Sequence, residues 1–409
     1  MIDYTKYITK NGLKVTYIHK PNFVKSYVGI GVKYGACNLE YELDGVKYKD
    51  YPGIAHFLEH KLFQMPYGDA YQKFSDINVY SNAYTTVDKT VYHFTTNESI
   101  YEPLKILLDM YFTPYFTHED IEKEKPILIS EIKMVDDSPL NKFDSKLFKS
   151  LYPNDNISIE VAGTIEGISN IQKEDLERVY EHFYTSENSE LVIVSHVEKE
   201  KLFEYIERIT ENYSNRKYDV IKCPSVVSDN VLEDFSMKLN VEQTTASLGI
   251  RFDIKENTLL FCEFVIAIFD CLFSPMAKFR EELYNVNAFY ADIEYYVVTY
   301  DKVGYAVVST TTEQPNLFLD MVGSKIKNLN ILDLNREILE IYLRYIKSKS
   351  ILTLDKISKL GDEVLSLFLE DIDYFKELEL IDKLNVFSFD DIIHYFNDSR
   401  LIKCFCEKS

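Results

Sequence analysis

Alternating and helically spaced apolar residues divide this chain into two successive runs of strands and helices. Residues 11–20 open on Asn-Gly and alternate into a strand, and 25–34 predict a second one with small residues on one side, suited to close packing. A polar, glycine-containing stretch over 35–52 ends at Pro52-Gly53, where a helix is expected to begin. A short helix over 70–78 precedes two alternating runs, 81–86 and 90–96, which read as a hairpin. Ile100, Leu104, Leu107, Leu108 and Tyr111 keep helical spacing within 98–113. Thr117 is placed to cap a helix over 118–135, where Pro126 removes a backbone donor and predicts a kink, or a break and restart. Helices over 170–186 and 198–212 flank a buried strand at 190–196.

A polar, apolar-poor stretch over 213–231 then marks a boundary. It separates a first domain (1–213) from a linker (214–231) and a second domain (232–409). The second domain replays the first weakly. Strands are expected at 233–241 and 244–253, helices at 257–273 and 275–285, and strand-like runs at 287–299 and 303–311. Helical patterns over 314–329, 334–348 and 353–370 follow, and Leu401–Cys406 reads as a closing strand. The expected fold class is α+β, with two related α+β domains from an internal duplication, each an antiparallel-rich sheet packed with helices. A length of 409 residues fits this, since it exceeds one ordinary core of about 200.

Composition narrows the function classes. Hydrophobic residues make up 46% of the chain, which excludes a disordered protein. The formal charge of −21 argues against a nucleic-acid partner, because no basic surplus exists to neutralise phosphates. The six cysteines show no disulfide framework or metal-type spacing; Cys404 and Cys406 fit alternation in the last strand. No stretch approaches the roughly 18 apolar residues of a membrane span, and the N-terminus has no leader pattern. A reduced, cytoplasmic protein without nucleic-acid or membrane partners is the expectation.

The chemistry concentrates in Gly53–Leu62. His56 and His60 lie one helical turn apart on one face, with Glu59 beside them. Two imidazoles and an adjacent carboxylate in the order H-x-x-E-H suit a zinc hydrolase: two neutral nitrogen ligands and a general base. Such a site needs a third protein ligand. Glu131 is the best placed, with Glu124 seven residues earlier on the same face of a continuous helix, where it could orient a histidine.

These residues, together with G-I-A-H-F-L-E-H-K-L-F, N-A-Y-T-T, E-K-E-K-P-I-L-I-S-E-I-K-M, D-D-S-P and A-G-T-I-E-G-I, resemble the pitrilysin/insulinase family of inverted-motif zinc peptidases. Within that family the chain is similar to the bacterial members of roughly 400 residues related to mitochondrial processing peptidase. The resemblance implies one zinc on His56, His60 and Glu131, Glu59 as the base, and Glu124 as a supporting carboxylate. It implies an edge strand at Asn82, Ala83 and Tyr84 that pins an extended peptide by main-chain pairing. It also implies half of a clamshell, closed by a second chain. Relatives carry an Arg and, seven residues later, a Tyr that hold the developing oxyanion; here Arg280 is followed by Asn287. The expected assembly is therefore a heterodimer with a related chain lacking the zinc motif, with a homodimer as the alternative. The expected activity is endoproteolysis of short unfolded peptides, including precursor or leader peptides, against the alternatives of a non-catalytic peptide-binding subunit and of general peptide turnover.

Overall fold

The computed structural model describes residues 2–213, 221–222, 233–254, 258–300, 303–384 and 389–408. The expected linker at 214–231 thus lies outside the described residues, apart from Ile221 and Lys222. The elements begin with β1 (Tyr4–Ile8), β2 (Lys14–His19), β3 (Ser26–Val32) and a hairpin of β4 (Glu40–Leu43) and β5 (Val46–Lys49). Next come α1 (Ile54–Leu62), the two-residue strands β6 (Gln64–Met65) and β7 (Gly68–Asp69), and α2 (Ala70–Asp76). The hairpin of β8 (Tyr80–Thr85) and β9 (Thr90–Thr96) follows. Helices α3 (Tyr101–Phe112), α4 (His118–Asp136), α5 (Pro139–Leu151), α6 (Ile165–Asn170) and α7 (Lys173–Phe183) lead to β10 (Ser189–Ser195). After α8 (Lys199–Thr210) and β11 (Ile221–Lys222), the second half runs β12 (Phe235–Leu239), β13 (Thr245–Asp253), α9 (Leu259–Phe273) and α10 (Lys278–Asn285). It continues with β14 (Glu294–Tyr300), β15 (Val303–Thr311), α11 (Pro315–Lys327), α12 (Arg336–Leu354) and α13 (Ile357–Leu369). The last elements are α14 (Tyr374–Lys383), α15 (Asp390–Asp398) and β16 (Arg400–Lys408).

These elements form two compact units that do not follow chain order. Unit 1 gathers Met1–Met134, Ile159–Val226 and Leu352–Tyr374; unit 2 gathers Val135–Ser158, Val227–Ile351 and Phe375–Ser409. Each therefore contains one helix from the opposite half of the chain, α13 in unit 1 and α5 in unit 2.

Unit 1 is built on a six-stranded sheet of order β1-β2-β10-β3-β9-β8. Its only parallel ladder is β2–β10, and β8 stands at an edge with β9 as its one neighbour. Strands β3 and β10 are buried over their whole length, as expected when both faces are covered. Helix α13 covers one of those faces, and the small residues of β3 explain how: a Cβ on Gly29 or Gly31 would fall 2.9 Å from Leu365 or 2.5 Å from Leu369. Unit 2 has a five-stranded sheet of order β12-β16-β13-β15-β14, again with one parallel pair and an edge hairpin, and it lacks only a counterpart of the outermost strand β1. Gly249 of β13 meets Leu147 and Leu151 of α5 as Gly29 and Gly31 meet α13. The two sheets thus share one plan, and their helix exchange is symmetrical.

The polar stretch 35–52 folds as the β4–β5 hairpin, which the sequence pattern left unassigned. The expected helix over 170–186 is α7, with the short α6 ending at Asn170 just before it, and α4 runs unbroken through Pro126. Among the described residues, no single helix is long and apolar enough to cross a membrane.

Candidate metal centre

Two glycines set the start of α1. Gly53 takes φ 96° as the residue before the helix, and Gly163 takes φ 81° directly behind it. A Cβ on Gly163 would lie 2.3 Å from the Gly53 Cα, so the two backbones touch where no side chain fits. This contact explains the A-G-T-I-E-G-I segment, whose Thr164 also caps α6 by accepting from Gly167. From there α1 buries Ile54, Ala55, Phe57, Leu58 and Leu62 in the unit 1 core. Each fully buried Leu or Phe contributes about 1.5–3 kcal/mol, which fixes the rotation of the helix. His56, Glu59 and His60 are left on the opposite, half-buried face.

Helix α4 brings Glu131 to that face. Its Oε2 lies 3.8 Å from Nε2 of both His56 and His60, and the three donor atoms lie within 4.8 Å of one another. The imidazole rings are 4.7 Å apart and nearly perpendicular, at 82°. Among the described residues this is the one group of three or more His, Cys, Asp or Glu side chains arranged to hold a metal. A tetrahedral zinc with ligands at roughly 2.0–2.2 Å holds neighbouring donors about 3.4 Å apart, a spacing that the two Glu131–histidine distances of 3.8 Å approach.

Two turns before Glu131, Glu124 aims its Oε1 at His60 Nδ1 at 3.1 Å. Its other oxygen faces Lys61 Nζ at 3.6 Å, and that buried lysine also donates to the Asp120 carbonyl at 3.4 Å. These neighbours hold the Glu124 carboxyl below the usual range. Burial pulls His60 down, but the Glu124 hydrogen bond, with Glu131 and Glu59 nearby, raises it overall. Burial, reinforced by the neighbouring His60, lowers His56 to about 4, so that ring is neutral and ready to ligate. Its Nδ1 has no hydrogen-bond partner among the described residues. Glu59 is raised by burial, against the opposing pull of a hydrogen bond from Thr85 Oγ1 at 2.6 Å.

The remaining expected residues divide between the units. Asn82, Ala83 and Tyr84 lie on β8, whose outer edge pairs with no strand among the described residues. The Asn82 side chain accepts from the Ala83 N–H at 3.0 Å, while the Tyr84 hydroxyl donates to Asp362 on the sheet's other face. Arg280 belongs to unit 2, where it donates to the Phe273 carbonyl and to Asp292, both at 2.9 Å, and stacks on Phe289. Sequence reasoning passed over Thr85 and Lys61. Alternation along N-A-Y-T-T does place Thr85 on the face opposite Tyr84; nothing in the sequence pointed to Lys61 as the anchor of Glu124.

Comparison with known proteins gives the same picture at family level. The family model described as Insulinase (Peptidase family M16) matches residues 14–165, and that described as Peptidase M16 inactive domain matches 170–260. The chain is 30% identical over 329 residues to the Uncharacterized zinc protease YmfH of Bacillus subtilis (strain 168), covering 77% of this chain and 75% of that one. It is 28% identical over 207 residues to the Mitochondrial-processing peptidase subunit beta of Saccharomyces cerevisiae, covering 48% of this chain and 42% of the other. A putative M16-like peptidase from Alicyclobacillus acidocaldarius has the same fold, with a TM-score of 0.89, 23% identity, and coverage of 100% and 99%.

Proposed function

This chain belongs to the insulinase family, peptidase family M16, and from that premise we propose that it is a zinc-dependent endopeptidase acting on short unfolded peptides, including precursor or leader peptides. One observation carries the reading: two histidine Nε2 atoms stand equidistant from Glu131 Oε2, with the half-buried carboxylate Glu59 on the same helix face. His56, His60 and Glu131 would hold one zinc ion, which supplies Lewis acidity by polarising a peptide carbonyl and acidifying an attacking water. Glu59 would take a proton from the attacking water and return it to the leaving amine. Burial holds its pKa above the ordinary carboxylate value, which favours its protonated form in the second transfer. Glu124 holds His60 in the tautomer that frees Nε2. The open edge of β8 offers main-chain groups to an extended peptide, a mode that reads backbone before side chain.

With Arg280 engaged inside unit 2 and Asn287 seven residues on, the oxyanion partner is proposed to come from a second, related chain without the zinc motif. Size-exclusion chromatography of the chain with and without such a homologue tests that assembly. The peptidase reading is tested by metal analysis and cleavage of an internally quenched peptide. Glu59→Gln is expected to keep its zinc and lose turnover. A wild-type protein that binds no zinc, or a Glu59→Gln variant that cleaves at the wild-type rate, overturns it.

A further inference from the structure

Strand β8 carries two different duties on its two faces, and only one of them is part of the metal centre. Thr85, on the α1 side, donates to Glu59 at 2.6 Å. Tyr84, the residue before it, points to the opposite face and donates to Asp362 Oδ1 at 2.8 Å. Asp362 lies on α13, in the segment Leu352–Tyr374 that the second half of the chain contributes to unit 1. Tyr27 of β3 reaches the same carboxylate oxygen at 3.5 Å, so Asp362 ties the strand edge to the sheet interior.

The contact is a built one. Gly361 lets α13 lie directly on the Tyr27 ring: a Cβ there would be 2.1 Å from Tyr27 Cδ1. Gly29 and Gly31 accept Leu365 and Leu369 in the same way. Beyond the helix end, Lys89 pairs with Glu370, Lys33 with Asp371 and Lys6 with Asp373, which closes the seat with opposite charges. An edge strand hydrogen-bonded on one side only is the element of a sheet freest to slip or fray. Here that strand is anchored through a phenol to a carboxylate on a helix seated against the sheet.

We propose that Asp362 is a positioning residue for catalysis: through Tyr84 it holds β8 so that its free edge receives peptide and its Thr85 fixes Glu59. The proposal rests on the peptidase reading and adds to it a control element from the distant α13 segment.

The test uses the full-length, zinc-loaded protein and the variants Asp362→Ala, Asp362→Asn, Tyr84→Phe and the Asp362→Ala/Tyr84→Phe double. Loss of this half-buried hydrogen bond to a carboxylate is expected to lower kcat/KM about tenfold in Asp362→Ala and in Tyr84→Phe. The double variant should fall no further than Asp362→Ala alone, because both remove the same link. Asp362→Asn, which keeps an acceptor, should recover most of the activity. Zinc content should stay at the wild-type level, and amide exchange should quicken in β8 and β9 but not in β13 and β15. Additive losses in the double variant, or lost zinc with faster exchange in both sheets, overturn the proposal in favour of a merely structural contact. Wild-type exchange at β8 in Asp362→Ala overturns the positioning alone. A wild-type protein that binds zinc and cuts no peptide overturns the peptidase reading, and the catalytic role of Asp362 with it.

Discussion

Removing Glu124 should weaken zinc binding by an amount that depends on pH in a defined direction. At 3.1 Å its carboxylate receives the Nδ1 proton of His60, leaving Nε2 to face Glu131. A hydrogen bond to a charged acceptor contributes about 1.5–3 kcal/mol. At about 1.4 kcal/mol per tenfold, its loss corresponds to a ten- to hundredfold drop in metal affinity, the range typical of partners behind a ligand histidine. The same carboxylate raises the basicity of His60, so in the wild type zinc must displace a more tightly held proton. Taking Glu124 away relieves that competition. The full loss in Glu124→Ala should therefore appear near pH 9 and narrow toward about pH 6.5, because the wild type holds the His60 proton more tightly than the variant does. Glu124→Gln keeps an acceptor for His60 and for the buried Lys61, 3.6 Å away, and should lie between the two. Zinc dissociation constants at both pH values, from competition with a chromogenic chelator, decide the matter. An Ala variant within about twofold of wild type near pH 9, or a gap that widens as pH falls, refutes the reasoning.

Two further outcomes follow from the geometry. Glu59 must be ionised to act as a base, and burial holds it above the ordinary carboxylate value, so kcat/KM should rise with pH along an acid limb displaced upward from that of an exposed glutamate. Thr85→Val removes the hydrogen bond that favours the anion and should move this limb to still higher pH; an unmoved or lowered limb in the pH–rate profile excludes the assignment. Gly163→Ala puts a Cβ 2.3 Å from the Gly53 Cα at φ 81°, so backbone strain and the clash should together cost at least about 2 kcal/mol, read as a lower urea midpoint with loss of zinc; an unchanged midpoint means the contact does not set α1.

The candidate metal centre was legible in the sequence as a cluster because both of its helices carry their side chains at fixed intervals. His56, Glu59 and His60 share one turn, and Glu124 and Glu131 stand two turns apart on a helix that Pro126 does not interrupt. Periodicity also placed most strands and helices of both sheets. It failed where partners are distant in sequence. Helix α5 has its Ser138 cap, Pro139 and the stripe Phe143, Leu147 and Leu151, yet its destination under β13 appears nowhere in residues 139–151. The same holds for Asp362: an aspartate in the second half gives no sign that it receives a tyrosine from the hairpin beside Glu59. The β4–β5 hairpin is a different case: Asp44-Gly45 flanked by alternating Tyr41, Leu43, Val46 and Tyr48 is a hairpin signal that reading 35–52 as a polar stretch passes over.

The placement of α13 also dictates an order of events during synthesis. The strands of the unit 1 sheet leave the ribosome by Ser195, but Gly29 and Gly31 stay uncovered until Leu365 and Leu369 have been made. At roughly 5–20 residues per second, that leaves an apolar sheet face open for about ten to thirty seconds. The face of β3 that receives Leu365 and Leu369 thus stays uncovered through that interval, and the Asp362 acceptor for Tyr84 of β8 arrives only when residue 362 has been made.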